Sequence, residues 1–116
     1  MFCFAAVFQV DAFPRVIPET AKVCEGDTAV LTCLLSATDE DPSWYHRTET
    51  ARGILTNNGL LLDGLDKMKY GVYHNKNSLV LKIYNASDAD SGNFTCRYLN
   101  HTSHSTAQLI VYFYLF

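Results

Sequence analysis

Short stretches of alternating apolar and polar residues, separated by turn-forming residues, follow one another along most of the 116-residue chain. A period of two is typical of β-strands that bury one face, and no useful length of sequence has the spacing of an amphipathic helix. The pattern predicts strands over 14–23, 29–35, 43–47, 53–56, 69–74, 78–84, 93–99 and 106–113. Residues 60–66 are ambiguous, because an apolar start is broken by an Asp-Gly pair.

Alternation within these strands separates side chains expected in a core from those expected in solvent. The inward positions are Leu31, Cys33 and Leu35, then Trp44, then Leu79, Leu81 and Ile83, then Ala107, Leu109 and Val111. Pro14 and Pro18 restrict the first strand to a sheet edge, because proline cannot donate a hydrogen bond to a neighbouring strand. Residues 88–92 are expected to form a corner that contains one helical turn.

Cys33, Trp44 and Cys96 form the most informative spacing in the chain. A bridge between the two cysteines would close one large loop. A tryptophan shortly after the first cysteine is large enough to shield that bridge between two sheets. This order and spacing are typical of an immunoglobulin-type sandwich.

The chain resembles the immunoglobulin superfamily over about residues 16–112. The matching motifs are 26–33 (GDTAVLTC), 43–45 (SWY), 79–83 (LVLKI) and 88–96 (DADSGNFTC). The resemblance implies an all-β fold, an antiparallel immunoglobulin-like β-sandwich with one inter-sheet disulfide between Cys33 and Cys96 and with Trp44 and Phe94 in the core. The long interval between Trp44 and Tyr70 leaves room for an extra strand, so the domain is expected to be of the variable (V) or intermediate (I) type.

Within the superfamily, the chain is similar to the first domains of lachesin and IgLON-type neural cell-adhesion proteins, on residues 54–56 (ILT) and on the Leu-x-Ile strand before the corner. It departs from the family at Phe94, where a tyrosine usually bonds back to the corner. The corner then depends on packing and on Asp90, which in the family commonly pairs with a basic residue. Lys67 and Lys69 are the candidates here, and Lys69 is the preferred partner.

Residues 1–12 are apolar and end in Val-x-Ala, which resembles a signal-peptide cleavage site, although no basic residue precedes Arg15. They are expected to form a signal peptide, complete or truncated, followed by one domain over 13–116. The alternative is an N-terminal strand extension. Cleavage would remove Cys3 and leave Cys24 as a buried or intermolecular thiol, and a Cys3–Cys24 bridge is a third option.

Three N-glycosylation sequons begin at Asn85, Asn93 and Asn100. Together with the cysteine spacing they indicate a glycoprotein of the secretory pathway, either secreted or at the cell surface. The chance occurrence of sequons in a segment rich in Asn, Ser and Thr is the alternative. No stretch is long enough to span a membrane, so a membrane anchor is expected only through a segment that this sequence does not contain.

Composition and motifs argue against other functional classes. A net charge of −3 with dispersed lysines gives no basic footprint for nucleic acid. His101 and His104 lie close in sequence, but no carboxylate or cysteine is near them, so no metal site is expected. Without a nucleophile motif or a phosphate-binding loop, we expect no enzyme activity, cofactor or small-molecule substrate.

A protein-binding surface is the favoured function. In the immunoglobulin superfamily, strands G, F, C and C′ form one sheet whose outer face usually meets a partner. The outward candidates here are Tyr45, Arg47, Leu55, Arg97, Leu99, Gln108 and Ile110. Tyrosine and arginine are favoured anchors at interface centres, although scattered apolar residues are also normal on surfaces.

The sequons are expected to leave the middle of this sheet clear, with Asn100 in the F–G loop and with Asn85 and Asn93 near the opposite end. The expected role is cell adhesion or cell-surface recognition, as one domain of a longer receptor. The expected partner is a protein, bound homophilically or heterophilically, and most simply another immunoglobulin-like domain. A soluble immune or decoy factor and a structural repeat of a larger extracellular protein are the alternatives.

Overall fold

The structure, a computed structural model, describes residues 13–36, 42–47, 52–57, 59–98 and 103–113. The strands within these ranges are β1 (Arg15–Ile17), β2 (Thr20–Cys24), β3 (Ala29–Leu34), β4 (Pro42–Arg47), β5 (Arg52–Ile54), β6 (Thr56–Asn57), β7 (Leu60–Leu61), β8 (Tyr70–His74), β9 (Ser78–Ile83), β10 (Gly92–Tyr98) and β11 (His104–Tyr112). A 3₁₀ turn at Asp88–Asp90 lies at the predicted corner.

The strands form two main sheets and one short hairpin. A four-stranded sheet has the order β1-β3-β9-β8, and a five-stranded sheet has the order β2-β11-β10-β4-β5. Strands β6 and β7 pair with each other, and of these two β7 lies within residues 60–66, which the sequence left ambiguous. The pairing of β2 with β11 is parallel, and the other pairings are antiparallel. The all-β, antiparallel sandwich expected from the sequence is confirmed.

The first strand is not one edge strand, as residues 14–23 predicted, but two strands in different sheets. Val16 of β1 lies opposite Cys33 in the four-stranded sheet, whereas Ala21 of β2 lies beside Leu109 in the five-stranded sheet. Pro18 stands between them. Because proline has no N–H to offer either sheet, the chain leaves one hydrogen-bonded ladder there and joins the other.

The core lies between the two sheets and is filled by the side chains that alternation placed inward. Leu31, Leu79, Leu81, Ile83, Ala107 and Leu109 are fully buried, and Leu35 and Val111 nearly so. Trp44 and Phe94 are the largest side chains with no exposed surface. Each residue of this size contributes roughly 1.5–3 kcal/mol by burial, so the core is the main source of stability.

A disulfide and an indole ring connect the two sheets through the centre of this core. Cys33 of β3 is bonded to Cys96 of β10, with their Cα atoms 6.3 Å apart. The Trp44 indole Nε1 donates a hydrogen bond to the Leu79 carbonyl of the opposite sheet at 3.2 Å. The inter-sheet disulfide expected from the resemblance is therefore present.

An ion pair fixes the corner between β9 and β10. The Lys69 Nζ lies 2.6 Å from Asp90 Oδ2 and 3.0 Å from the Asn85 carbonyl oxygen. The same Asp90 oxygen accepts the Ser87 backbone N–H at 2.8 Å. Of the two candidate lysines, Lys69 is thus the one that reaches Asp90, which is almost fully buried.

Candidate partner-binding face

The candidate site is the solvent-facing side of the five-stranded sheet, which we call the outer face. Its side chains alternate with the buried residues of β2, β10 and β11, and strand pairing adds Tyr45 and Arg47 of β4 and Ile54 of β5. We define the outer face by Thr20, Lys22, Tyr45, Arg47, Ile54, Asn93, Thr95, Arg97, His104, Thr106, Gln108 and Ile110, and Cys24 and Tyr112 continue it at the end of β2 and β11. Strand pairing brings together residues that are far apart in sequence, so the face is a product of the fold.

A central row crosses the outer face from one edge strand towards the other. Tyr45 lies opposite Ile54 on one side and opposite Thr95 on the other, and Thr95 lies opposite Thr106. The Thr95 and Thr106 hydroxyl oxygens are 2.7 Å apart and share a hydrogen bond. Ile54 is 46% exposed, so the row presents an apolar side chain and an aromatic ring next to a polar pair.

Tyr45 and Arg97 form a cation–π pair on the outer face. The guanidinium carbon of Arg97 lies 5.7 Å from the centre of the Tyr45 ring. Attraction between a cation and the face of an aromatic ring holds such pairs in place, by about 0.5–1 kcal/mol at exposed sites. The exposed guanidinium is thus oriented before any partner arrives, which lowers the entropic cost of binding.

The outer face is positively charged within a chain of net charge −3. Lys22, Arg47 and Arg97 are exposed on it. None of the residues that define the face is acidic. Such a segregation of charge favours an acidic surface as the complement.

The residues predicted for partner binding fall into three groups. The first group lies on the outer face and comprises Tyr45, Arg47, Arg97 and Gln108, together with Ile110, which is half-buried and lies beside Lys22. The second group is Leu99 and the third is Leu55. Leu99 lies outside the described residues.

Leu55 does not lie on the outer face, and its prediction as a partner-binding residue is wrong. The side chain is buried in the core with 5% of its surface exposed. Its backbone N–H donates to the Trp44 carbonyl at 2.8 Å, and Ile54 is the residue paired with Tyr45. A shift of one residue reverses the face of a strand, so Ile54 takes the outward position that the sequence assigned to Leu55.

The sequons occupy different parts of the fold. Asn85 is exposed in the loop that follows β9, and Asn100 lies outside the described residues. Asn93 lies near the start of β10, at the end of the sheet where the sequence placed it. It is nevertheless an exposed outer-face residue that pairs with Arg47 on one side and Gln108 on the other. A glycan at Asn93 would therefore not leave the predicted patch clear, contrary to the sequence-based expectation.

The outer side of the four-stranded sheet also exposes apolar side chains, among them Ile17, Val30 and Tyr73. The Tyr73 ring is already covered by Lys82, whose Nζ lies 5.0 Å from the ring centre, and its hydroxyl lies 3.4 Å from that of Tyr84. Among the described residues, no arginine pairs with a tyrosine on this surface, and the outer face is therefore the stronger candidate.

Three further features were considered from the sequence: a metal site, a membrane span and an unpaired thiol. They contain no group of three His, Cys, Asp or Glu residues arranged to hold a metal ion. In the same part of the chain, no helix is both long and apolar enough to cross a membrane. Cys24 is a half-buried free thiol on edge strand β2, and Cys3 and the segment 1–12 lie outside the described residues.

The sequence model of the immunoglobulin domain family matches residues 14–100. The chain therefore belongs to the immunoglobulin domain family. A search of the curated proteins found no match to the chain. Domains of this family typically bind other proteins and are not enzymes, and with a disulfide they are typical of extracellular or cell-surface proteins.

Proposed function

We propose that this chain is an extracellular recognition domain that binds a protein partner with its outer face, in cell adhesion or cell-surface recognition. The observation that carries the proposal is the ordered Tyr45–Arg97 pair beside the exposed Ile54. Interfaces concentrate their binding energy in a few tyrosine, tryptophan and arginine anchors surrounded by less critical contacts. The residues that resemble those of lachesin and IgLON-type first domains, 54–56 and the Leu-x-Ile strand, favour an adhesive role.

The charge of the outer face indicates the charge expected of the partner surface. Arg47 and Arg97 are exposed, and none of the described residues that define the outer face is acidic. Two copies of this face packed against each other would bring like charges together, which costs free energy when water is excluded. We therefore propose heterophilic binding to an acidic protein surface, most simply the sheet face of another immunoglobulin-like domain.

The proposal is tested with the full chain refolded from bacterial inclusion bodies, which carries no glycans. The chain is displayed as a multimer and screened against an array of purified cell-surface ectodomains that includes the chain itself. We expect at least one acidic ectodomain to bind. The double variant R47E/R97E should weaken that binding by about 100-fold or more, because both charges then repel the partner.

The matched control is K67E/K76E, which reverses two exposed lysines away from the outer face and changes the net charge equally. Exposed charges outside an interface are worth little, so its binding should change by less than about fivefold. An array without any binder, or equal binding by R47E/R97E and the unmodified chain, would overturn the proposed function.

A further inference from the structure

Asn93 is the acceptor residue of a glycosylation sequon and at the same time a residue of the outer face. Along β10, Phe94 and Cys96 point into the core, so Asn93 points to solvent, where it is exposed. Its direct neighbours across the sheet are Arg47 and Gln108. Its side chain makes no hydrogen bond with the residues that the structure describes, so a sugar attached to its amide would displace no contact there.

The distances within a sheet place this sequon inside an interface of ordinary size centred on Tyr45. Adjacent strands lie about 4.8 Å apart, and two residues along a strand span about 7 Å. Arg47 is one strand away from Asn93. Thr95, which belongs to the row of Tyr45 and Ile54, is the next outward residue on the same strand. A standard protein interface covers about 800 Å² on each partner, so a footprint centred on Tyr45 includes Asn93.

We propose that N-glycosylation of Asn93 closes the outer face, so that only molecules with an unmodified Asn93 bind the partner through it. An N-glycan is bulky and hydrated, whereas anchor residues contribute fully only when their surroundings exclude water. This inference rests on the proposed function and adds its regulation. The fraction of Asn93 that carries a glycan sets the fraction of molecules able to bind.

Asn85 provides the internal control for this inference. It is an exposed acceptor residue of the same kind, but it lies in the loop between β9 and the 3₁₀ turn, outside both sheets. Its carbonyl oxygen accepts a hydrogen bond from Lys69 Nζ at the corner. A glycan at Asn85 starts outside the outer face, so its removal leaves the accessibility of that face unchanged.

The test uses the full chain secreted from mammalian cells that make only neutral oligomannose glycans, which separates steric effects from those of sialic acid. Glycopeptide mass spectrometry measures occupancy at each sequon. The probe is a single-domain antibody selected on the N93Q variant and retained only if R47E/R97E abolishes its binding. We expect the probe to bind N93Q about 100-fold more tightly than the Asn93-glycosylated chain, and N85Q to bind as weakly as the latter.

The outcomes separate this inference from the proposed function. A secreted chain with no glycan at Asn93, or equal binding of the probe to the glycosylated chain and to N93Q, would overturn the inference. The ectodomain array is then repeated with N93Q and with the glycosylated chain. If the probe distinguishes the two forms but no ectodomain binds N93Q, the glycan shields the face and the proposed function is overturned. If the probe does not distinguish them and an ectodomain binds both, only the inference fails.

Discussion

His46 illustrates at the scale of a single residue how this chain builds its corner without the usual tyrosine. The imidazole stacks on the Phe94 ring with a centroid distance of 4.1 Å and an angle of 7° between the planes. Its Nε2 lies 3.4 Å from the Ser91 carbonyl oxygen, a long contact in which an Nε2–H would be the donor. His46 thus supplies to the corner a polar contact that Phe94, which has no hydroxyl, cannot make.

The stability of the domain should depend on pH through His46. Burial is the main influence on this group and lowers its pKa below 6.5, although the Ser91 carbonyl and Asp90 act in the opposite direction. The unfolded chain therefore binds a proton at a higher pH than the folded domain does. Stability is fully present above pH 6.5 and decreases as the pH falls towards the lower pKa of the folded state.

Thermal unfolding at pH 7.5 and at about pH 5.5 measures this effect, since histidine is the side chain that ordinarily titrates in this range. The melting temperature of the wild-type chain should fall more between these two conditions than that of H46Q, whose amide does not titrate. Equal falls in the two proteins would show that His46 contributes no pH dependence.

At the scale of secondary structure, Ile54 and Leu55 are adjacent apolar residues with opposite roles. Ile54 is 46% exposed and Leu55 only 5%. We expect L55A to lower the free energy of unfolding by about 2–4 kcal/mol, because it leaves a cavity in the core. I54A should change it by less than about 1 kcal/mol. Urea denaturation measures the free energy of unfolding of the two variants. Comparable decreases of this free energy in both would contradict the assignment of Ile54 to the surface.

The same pair of residues shows what the sequence could and could not predict. Strands with a clear apolar face, such as β3, β9 and β11, were predicted with their inward side chains, because burial imposes the alternation directly. Strand β5 has too few residues for alternation to define its face, and only its pairing with β4 assigns Ile54 outward. The change of sheet at Pro18 depends likewise on which neighbouring strands are available, and single-strand patterns do not contain that information.

The candidate site was predictable to a similar extent. Tyr45, Arg47, Arg97 and Gln108 follow from strand periodicity and from the usual sheet order of the family. The contact between Arg97 and Tyr45 and the position of Asn93 between Arg47 and Gln108 follow from the register of β10 against its two neighbours. Register is a property of the assembled sheet, so the overlap of sequon and binding face became visible only in the structure.

At the scale of the whole molecule, two links through the core keep the sheets together. The Cys33–Cys96 disulfide closes a loop with a sequence separation of 63, and the Trp44 indole reaches the Leu79 carbonyl of the opposite sheet. In the chain-entropy model a loop of this length stabilises the folded state by about 4 kcal/mol. Since small domains have a total stability of only about 5–15 kcal/mol, the bridge supplies a large share of it.

The double variant C33A/C96A should therefore lose about 2–5 kcal/mol of unfolding free energy, because its unfolded state is no longer restricted by the bridge. Trp44 is the single tryptophan of the chain and lies in the core, so its fluorescence during urea denaturation reports directly on the separation of the two sheets. C24S is the control, since this half-buried thiol on an edge strand links no sheets, and its loss should stay below about 1 kcal/mol. If C33A/C96A and the unmodified chain unfold at the same urea concentration, the bridge adds nothing to the stability of the domain and the prediction is wrong.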